Sequence, residues 1–131
     1  MKISIDPKIL ENFPDAKIGW LRAGVANAGG AAHVRSLKAG LEARLNDIGI
    51  SADTMMMHPD VRRWREVYSA MGVKPSKYRS SLEALLRRIF KGDLWEVSPV
   101  VDCYDCVSAL SLLPMGAHDM EKLRGGLTLR Y

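Results

Sequence analysis

Cys103-Tyr104-Asp105-Cys106 is a C-x-x-C, the spacing at which one thiol at a helix start attacks a disulfide and the second resolves it. Zinc is not expected there, because neither a second C-x-x-C nor an H-x-x-x-H partner occurs in the chain. Both cysteines also share an apolar stripe with Val107 and Leu110. Free cysteine packs as a small hydrophobe, so a structural pair is the preferred reading and a thiol–disulfide enzyme ranks third among the functions considered. His33, His58 and His118 are scattered, and none belongs to an H-E-x-x-H or G-x-S-x-G motif. His118, beside Asp119 in a turn, is the histidine placed as a loop base would be; a surface histidine beside a turn-forming aspartate is the plain alternative. Ser108 and Ser111 lie one helical turn apart, able to donate to a ligand or to bond a carbonyl of the preceding turn. No cofactor and no metal are expected: the chain has no G-x-G-x-x-G, and no Lys-Ser/Thr follows Gly29-Gly30 as a phosphate loop requires.

Two helices and a closing strand must position these groups. Ser80-Ser81-Leu82-Glu83 is an S-x-x-E capping box, in which the serine accepts from the Glu83 N–H and the Glu83 carboxylate reaches back. Leu82, Leu85, Leu86 and Ile89 then repeat at helical spacing, and Gly92 is a left-handed stop. Pro99 predicts an extended run through Val100-Val101. Asp102 is the expected N-cap of the second helix, with Asp105 in its first turn, held ionised by the helix dipole. Pro114 ends that helix, residues 115–119 turn, and Leu127, Leu129 and Tyr131 alternate as a strand.

This stretch resembles the B3/B4 module of the phenylalanyl-tRNA synthetase beta chain, in free-standing form. The shared text is YRSSLEALLRRI, VVD-x-Y-x-x-VS, LPxGAxD and GGLTLR, with weaker likeness upstream at Trp64, Tyr68, Gly72 and Pro75. In the synthetase this module hydrolyses tRNA wrongly charged with tyrosine, so the resemblance implies a mixed α/β fold and a tRNA-linked role, namely hydrolysis in trans of a mischarged aminoacyl-tRNA. The alternative is a non-catalytic RNA- or amino-acid-binding module on the same fold. In the family a Thr-Asn pair follows the V-D of this segment and a His follows the turn proline. Those positions fall here on Tyr104, Asp105 and Gly116, which are departures. The expected site is therefore Asp105 and His118 as acid–base groups, with Tyr104, Ser108 and Gly116 against the substrate. Arg79, Arg87 and Arg88 are expected to contact tRNA phosphates. Family members continue past the point reached at Tyr131, which implies that a partner chain or a C-terminal segment completes the sheet.

The rest of the chain fits one soluble domain spanning residues 1–131. Hydrophobic residues make up 47% and charged residues 26%. No apolar run approaches the ~20 residues of a membrane helix, and the first residues carry no signal-peptide core, so the cytoplasm is expected. Net charge is +4, but residues 58–92 carry nine Lys/Arg against three Asp/Glu. Such a basic middle can follow a phosphate backbone, or can simply be solvated helix faces. Arg62, Arg63 and Arg65 at the start of a helix opened by Pro59 sit unfavourably against its positive end, a reason to expect an anionic partner. Upstream, residues 2–5 read as a strand, Asp6-Pro7 as the start of a brief helix, and residues 17–25 as an inner strand apolar on both faces. Residues 27–30 read as a turn, and Val34, Leu37, Leu41, Leu45 and Ile48 as one long helix. The three methionines at 55–57 read as flexible packing. The fold class is α/β (mixed α+β), a small mixed sheet packed with amphipathic helices.

Overall fold

The computed structural model describes residues 1–26 and 29–131. Asn27 and Ala28, half of the expected turn at 27–30, lie outside the described residues. The chain divides into two compact units: Met1–Gly24 with Ala117–Tyr131, and Val25–Gly116.

The first unit holds both strands. β1 (Ile3–Ile5) pairs in parallel with β2 (Leu127–Leu129), in the register Ile3 to Leu127 and Ile5 to Leu129. Ser4 Oγ and Thr128 Oγ1 are 3.0 Å apart across this ladder. A Cβ on Gly126 would lie 2.7 Å from the Lys2 carbonyl oxygen, so the entry to β2 needs a glycine for close approach. The Asp6 carboxylate accepts from the Lys8 N–H at 2.9 Å, and Pro7 opens α1 (Pro7–Asn12), as the sequence leads one to expect. Among the described residues the sheet has two parallel strands, so the class is broadly α/β while the larger mixed sheet is not found. The expected inner strand at 17–25 is also absent. Trp20 and Leu21 are exposed there and find no neighbouring ladder, without which apolar faces cannot make an inner strand.

The second unit is helical: α2 (Ala31–Ala39), α3 (Leu41–Asp47), a 3₁₀ turn (Met55–Met57), α4 (Pro59–Ala70), α5 (Ser81–Lys91) and α6 (Pro99–Ser111). The long helix expected over 34–48 is interrupted at Gly40, whose N–H is shared between the Ser36 and Leu37 carbonyls at 3.2 Å each. That is a 3₁₀-like tightening at the residue least suited to a helix interior. The starts and stops of α4 and α5 fall where the local signals put them. His58 Nδ1 accepts from the Asp60 N–H, Pro59 is N1, and Gly92 closes α5 at φ 70°. Leu82, Leu85, Leu86 and Ile89 bury the apolar face of α5 against Leu41 and Leu45 of α3 and Cys106 and Ala109 of α6. Met55 is buried in the same cluster and Met56 packs against it, but Met57 is exposed, so the packing reading holds for two of the three methionines.

α6 corrects the expected geometry. It begins at Pro99, with Ser98 Oγ accepting from the Val101 N–H at 3.3 Å, so Val100 and Val101 are helical rather than extended. Ser-Pro is itself an N-cap followed by N1, and it outweighs the β-branched pair behind it. Asp102 is therefore no cap: its N–H already donates to the Ser98 carbonyl at 2.8 Å. At the other end Leu112 takes a left-handed conformation (φ 56°), and the Ser108 hydroxyl donates to the Leu113 carbonyl at 2.6 Å.

Candidate functional site

Within the second unit, α5 and α6 and the link between them enclose a groove of ≈ 230 Å³. Ser81, Ala84, Leu85 and Arg88 line it from α5, Asp105 from α6, and Leu94, Trp95 and Val97 from the link. The α5 residues share one face because their spacing is helical. The Arg88 guanidinium lies 3.8 Å from the centroid of the exposed Trp95 ring, a stacked cation–π pair. Behind the link, Lys38 Nζ donates to the Trp95 carbonyl at 2.7 Å and pairs with Asp102 at 3.2 Å. The Asp102 carboxylate also accepts from the Val97 N–H at 3.1 Å. A buried Lys–Asp pair thus fixes the loop wall of the groove.

The two aspartates of α6 have separated roles. Asp102 is buried and committed to Lys38 and Val97. Asp105 is half-buried and lines the groove. Because α6 starts at Pro99, Asp105 falls in the second turn and not the first, where the dipole effect has faded. Burial raises its carboxyl pKa, the Asp102 charge adds to the rise, and Lys38 opposes it. The expectation of a dipole-held carboxylate is therefore corrected. Tyr104 is half-buried, and burial, then the Asp105 charge, pushes its phenol up. Neither Tyr104 nor Ser108 lines this groove, and the Ser108 hydroxyl is occupied in closing α6. Ser111 Oγ donates back to the Val107 carbonyl at 2.7 Å. Gly116 is exposed at the end of this unit, and His118, also exposed, belongs to the other one.

The cysteines differ from each other. Cys106 is buried in the core, and burial first, then Cys103, raises its thiol pKa. Cys103 is exposed, so the shared apolar stripe holds for Cys106 and not for its neighbour. Because α6 starts at Pro99, Cys103 lies past its first turn, away from the helix start at which an attacking thiolate is favoured.

The three arginines expected at phosphates divide between two places. Arg88 stacks on Trp95. Arg79 and Arg87 turn to Glu83, whose side chain is 1% exposed. Arg87 Nε donates to Glu83 Oε1 at 3.0 Å, and Arg65 Nη1 and Arg79 Nε lie 3.5 Å from the same oxygen. The capping box is consequently one-sided. Ser80 Oγ accepts from the Glu83 N–H at 3.2 Å, but the Glu83 carboxylate is drawn to arginines instead of reaching back. The sequence carried one sign of this: Arg79, Glu83 and Arg87 recur at i, i+4, i+8. Arg65, Lys38 and Trp95 had no local signature pointing to their partners.

Among the described residues no three His, Cys, Asp or Glu side chains gather as metal ligands would, and no helix is long and apolar enough to cross a membrane. No curated protein and no solved structure matches the chain. A family model described as the B3/4 domain does match, over residues 63–131, a span running from α4 through the groove-forming α5 and α6 to β2. More than half of the chain is covered, and the residues that form the groove fall inside it, so this chain belongs to the B3/4 domain family, the domain known from the beta chain of phenylalanyl-tRNA synthetase.

Proposed function

We propose that this chain is a tRNA-linked B3/4 module that takes the aminoacyl end of a mischarged tRNA into the Asp105 groove and hydrolyses the ester in trans. Besides the family, the observation that carries this reading is the groove itself. Leu85, Leu94 and Val97 offer an apolar wall, Trp95 an aromatic face, and Asp105 and Arg88 opposite charges at the same opening. In the proposed step a water attacks the ester carbonyl while the Asp105 carboxylate takes its proton. Arg88 steadies the oxyanion, and collapse expels the ribose hydroxyl, which receives that proton. A carboxyl whose pKa is raised by burial is a stronger base than an ordinary one.

A second reading, binding without hydrolysis, is favoured by one observation: among the described residues Asp105 is the single acid–base side chain lining the groove. Both readings place the aminoacyl end there. The test is calorimetric titration with 3′-tyrosylamino-adenosine, whose amide resists cleavage. Saturable binding lost in Trp95→Ala, an exposed position whose replacement leaves the core intact, is the expected result. Absence of binding, or binding indifferent to Trp95→Ala, contradicts the assignment of the groove.

A further inference from the structure

Three guanidinium groups meet at Glu83 on the α4–α5 side of the second unit, and none of them lines the Asp105 groove. One carboxylate balances one cation, and Arg87 at 3.0 Å already does this. Arg65 and Arg79 stand at 3.5 Å, longer than a charge-assisted bond of about 2.7–2.9 Å, and their side chains are 31% and 46% exposed. Among the described residues no other carboxylate pairs with these arginines, which leaves two positive charges in surplus. Oε2 of Glu83 is buried and receives no donor, so the cations crowd one oxygen rather than sharing two. Met56 Sδ takes a further N–H from Arg87 at 3.4 Å and from Arg65 at 3.7 Å, fixing those two heads from a second side. Pinned guanidiniums with unused N–H groups lose little freedom when they grip an anion, and their fork matches phosphate oxygens.

We propose that Arg65, Arg79 and Arg87 form a phosphate-binding site, pre-organised by Glu83. The ligand is the phosphate group, either of a nucleic-acid backbone or free in solution. The choice of backbone as the natural source rests on the tRNA reading; the site itself rests on the arginine geometry.

The test measures binding of a fluorescent RNA hairpin of acceptor-stem length at several salt concentrations, and separately the binding of inorganic phosphate. Arg79→Gln and Arg65→Gln are each expected to weaken hairpin binding about ten-fold and to flatten the slope of log K on log salt by about 0.7–0.9. Arg79→Lys should keep most of the slope and still lose affinity, because an ammonium lacks the fork. Arg44→Gln, on exposed α3 surface, serves as the control. Loss of phosphate binding in Arg79→Gln with hairpin binding unchanged supports the site and assigns it to free phosphate. Loss of hairpin binding supports it and assigns it to the backbone. Parent affinity and parent slope for both probes in Arg79→Gln overturn it. Arg79 precedes the N-cap of α5 and is exposed, so that variant folds and decides the matter even where Arg65→Gln does not. The tyrosylamino-adenosine probe carries no phosphate, so its binding reports on the groove alone and separates failure of the site from failure of the proposed function.

Discussion

Lys38 of α2 and Asp102 of α6 meet at 3.2 Å with their side chains 9% and 7% exposed, and through the Trp95 carbonyl and the Val97 N–H they hold one wall of the groove. Removing one partner strands the other charge in a poorly solvated place. Lys38→Met or Asp102→Asn is therefore expected to cost about 3–5 kcal/mol in chemical denaturation, and Lys38→Met with Asp102→Leu together less than the sum. Additive losses would show that the pair does not act as one.

The thiols are expected to react unequally. Cys103 is exposed and should label within the time of mixing with a thiol reagent, whereas Cys106 should label only after denaturant is added. Mass spectrometry counts the adducts. Fast labelling at both positions contradicts the buried, pKa-raised Cys106.

Asp105 links the site to pH. Its folded pKa is raised, so the native state binds more protons than the unfolded chain between the two values, and stability falls as pH rises through that window. Asp105→Asn removes this effect. The variant should be more stable than the parent at neutral pH, and the difference should vanish below the ordinary carboxylate range. Thermal melting against pH checks it. An equal gain at acid and neutral pH would show that the charge is not the cause.

Ser108 separates structure from substrate contact. Its hydroxyl closes α6 onto the Leu113 carbonyl at 2.6 Å, so Ser108→Ala should lower stability by about 1 kcal/mol. Affinity for 3′-tyrosylamino-adenosine should stay at the parent value. A large loss of affinity at unchanged stability would instead put Ser108 against the ligand.

What the sequence revealed was local. Asp6-Pro7, Pro59, Ser80 and Gly92 marked element ends correctly, because a cap, a missing N–H or a left-handed glycine acts within one turn. The same rule was available at Ser98-Pro99, but Val100-Val101 and the aspartate after them suggested a later start, and that shift carried Asp105 into the wrong turn. The pairings that shape the site join distant parts of the chain: Lys38 with Trp95 and Asp102, Arg65 with Glu83. No periodicity encodes them. Glu83 shows the difficulty best: Arg79 and Arg87 stand at local helical spacing from it, but its burial and its contact with Arg65 are tertiary facts that its capping-box position did not predict.

Single-turnover deacylation measures the proposed hydrolysis of a mischarged aminoacyl-tRNA in the Asp105 groove. The substrates are the phenylalanine-accepting tRNA charged with tyrosine or with phenylalanine, each given to parent and to Asp105→Asn. A buried partner for the phenol hydroxyl would discriminate strongly between the two esters. Tyrosine should be lost faster than phenylalanine, at a rate that rises with pH through the raised Asp105 pKa and falls greatly in the variant. Hydrolysis no faster than in buffer by the folded parent, or an Asp105→Asn variant as fast as the parent, would contradict the proposed hydrolysis.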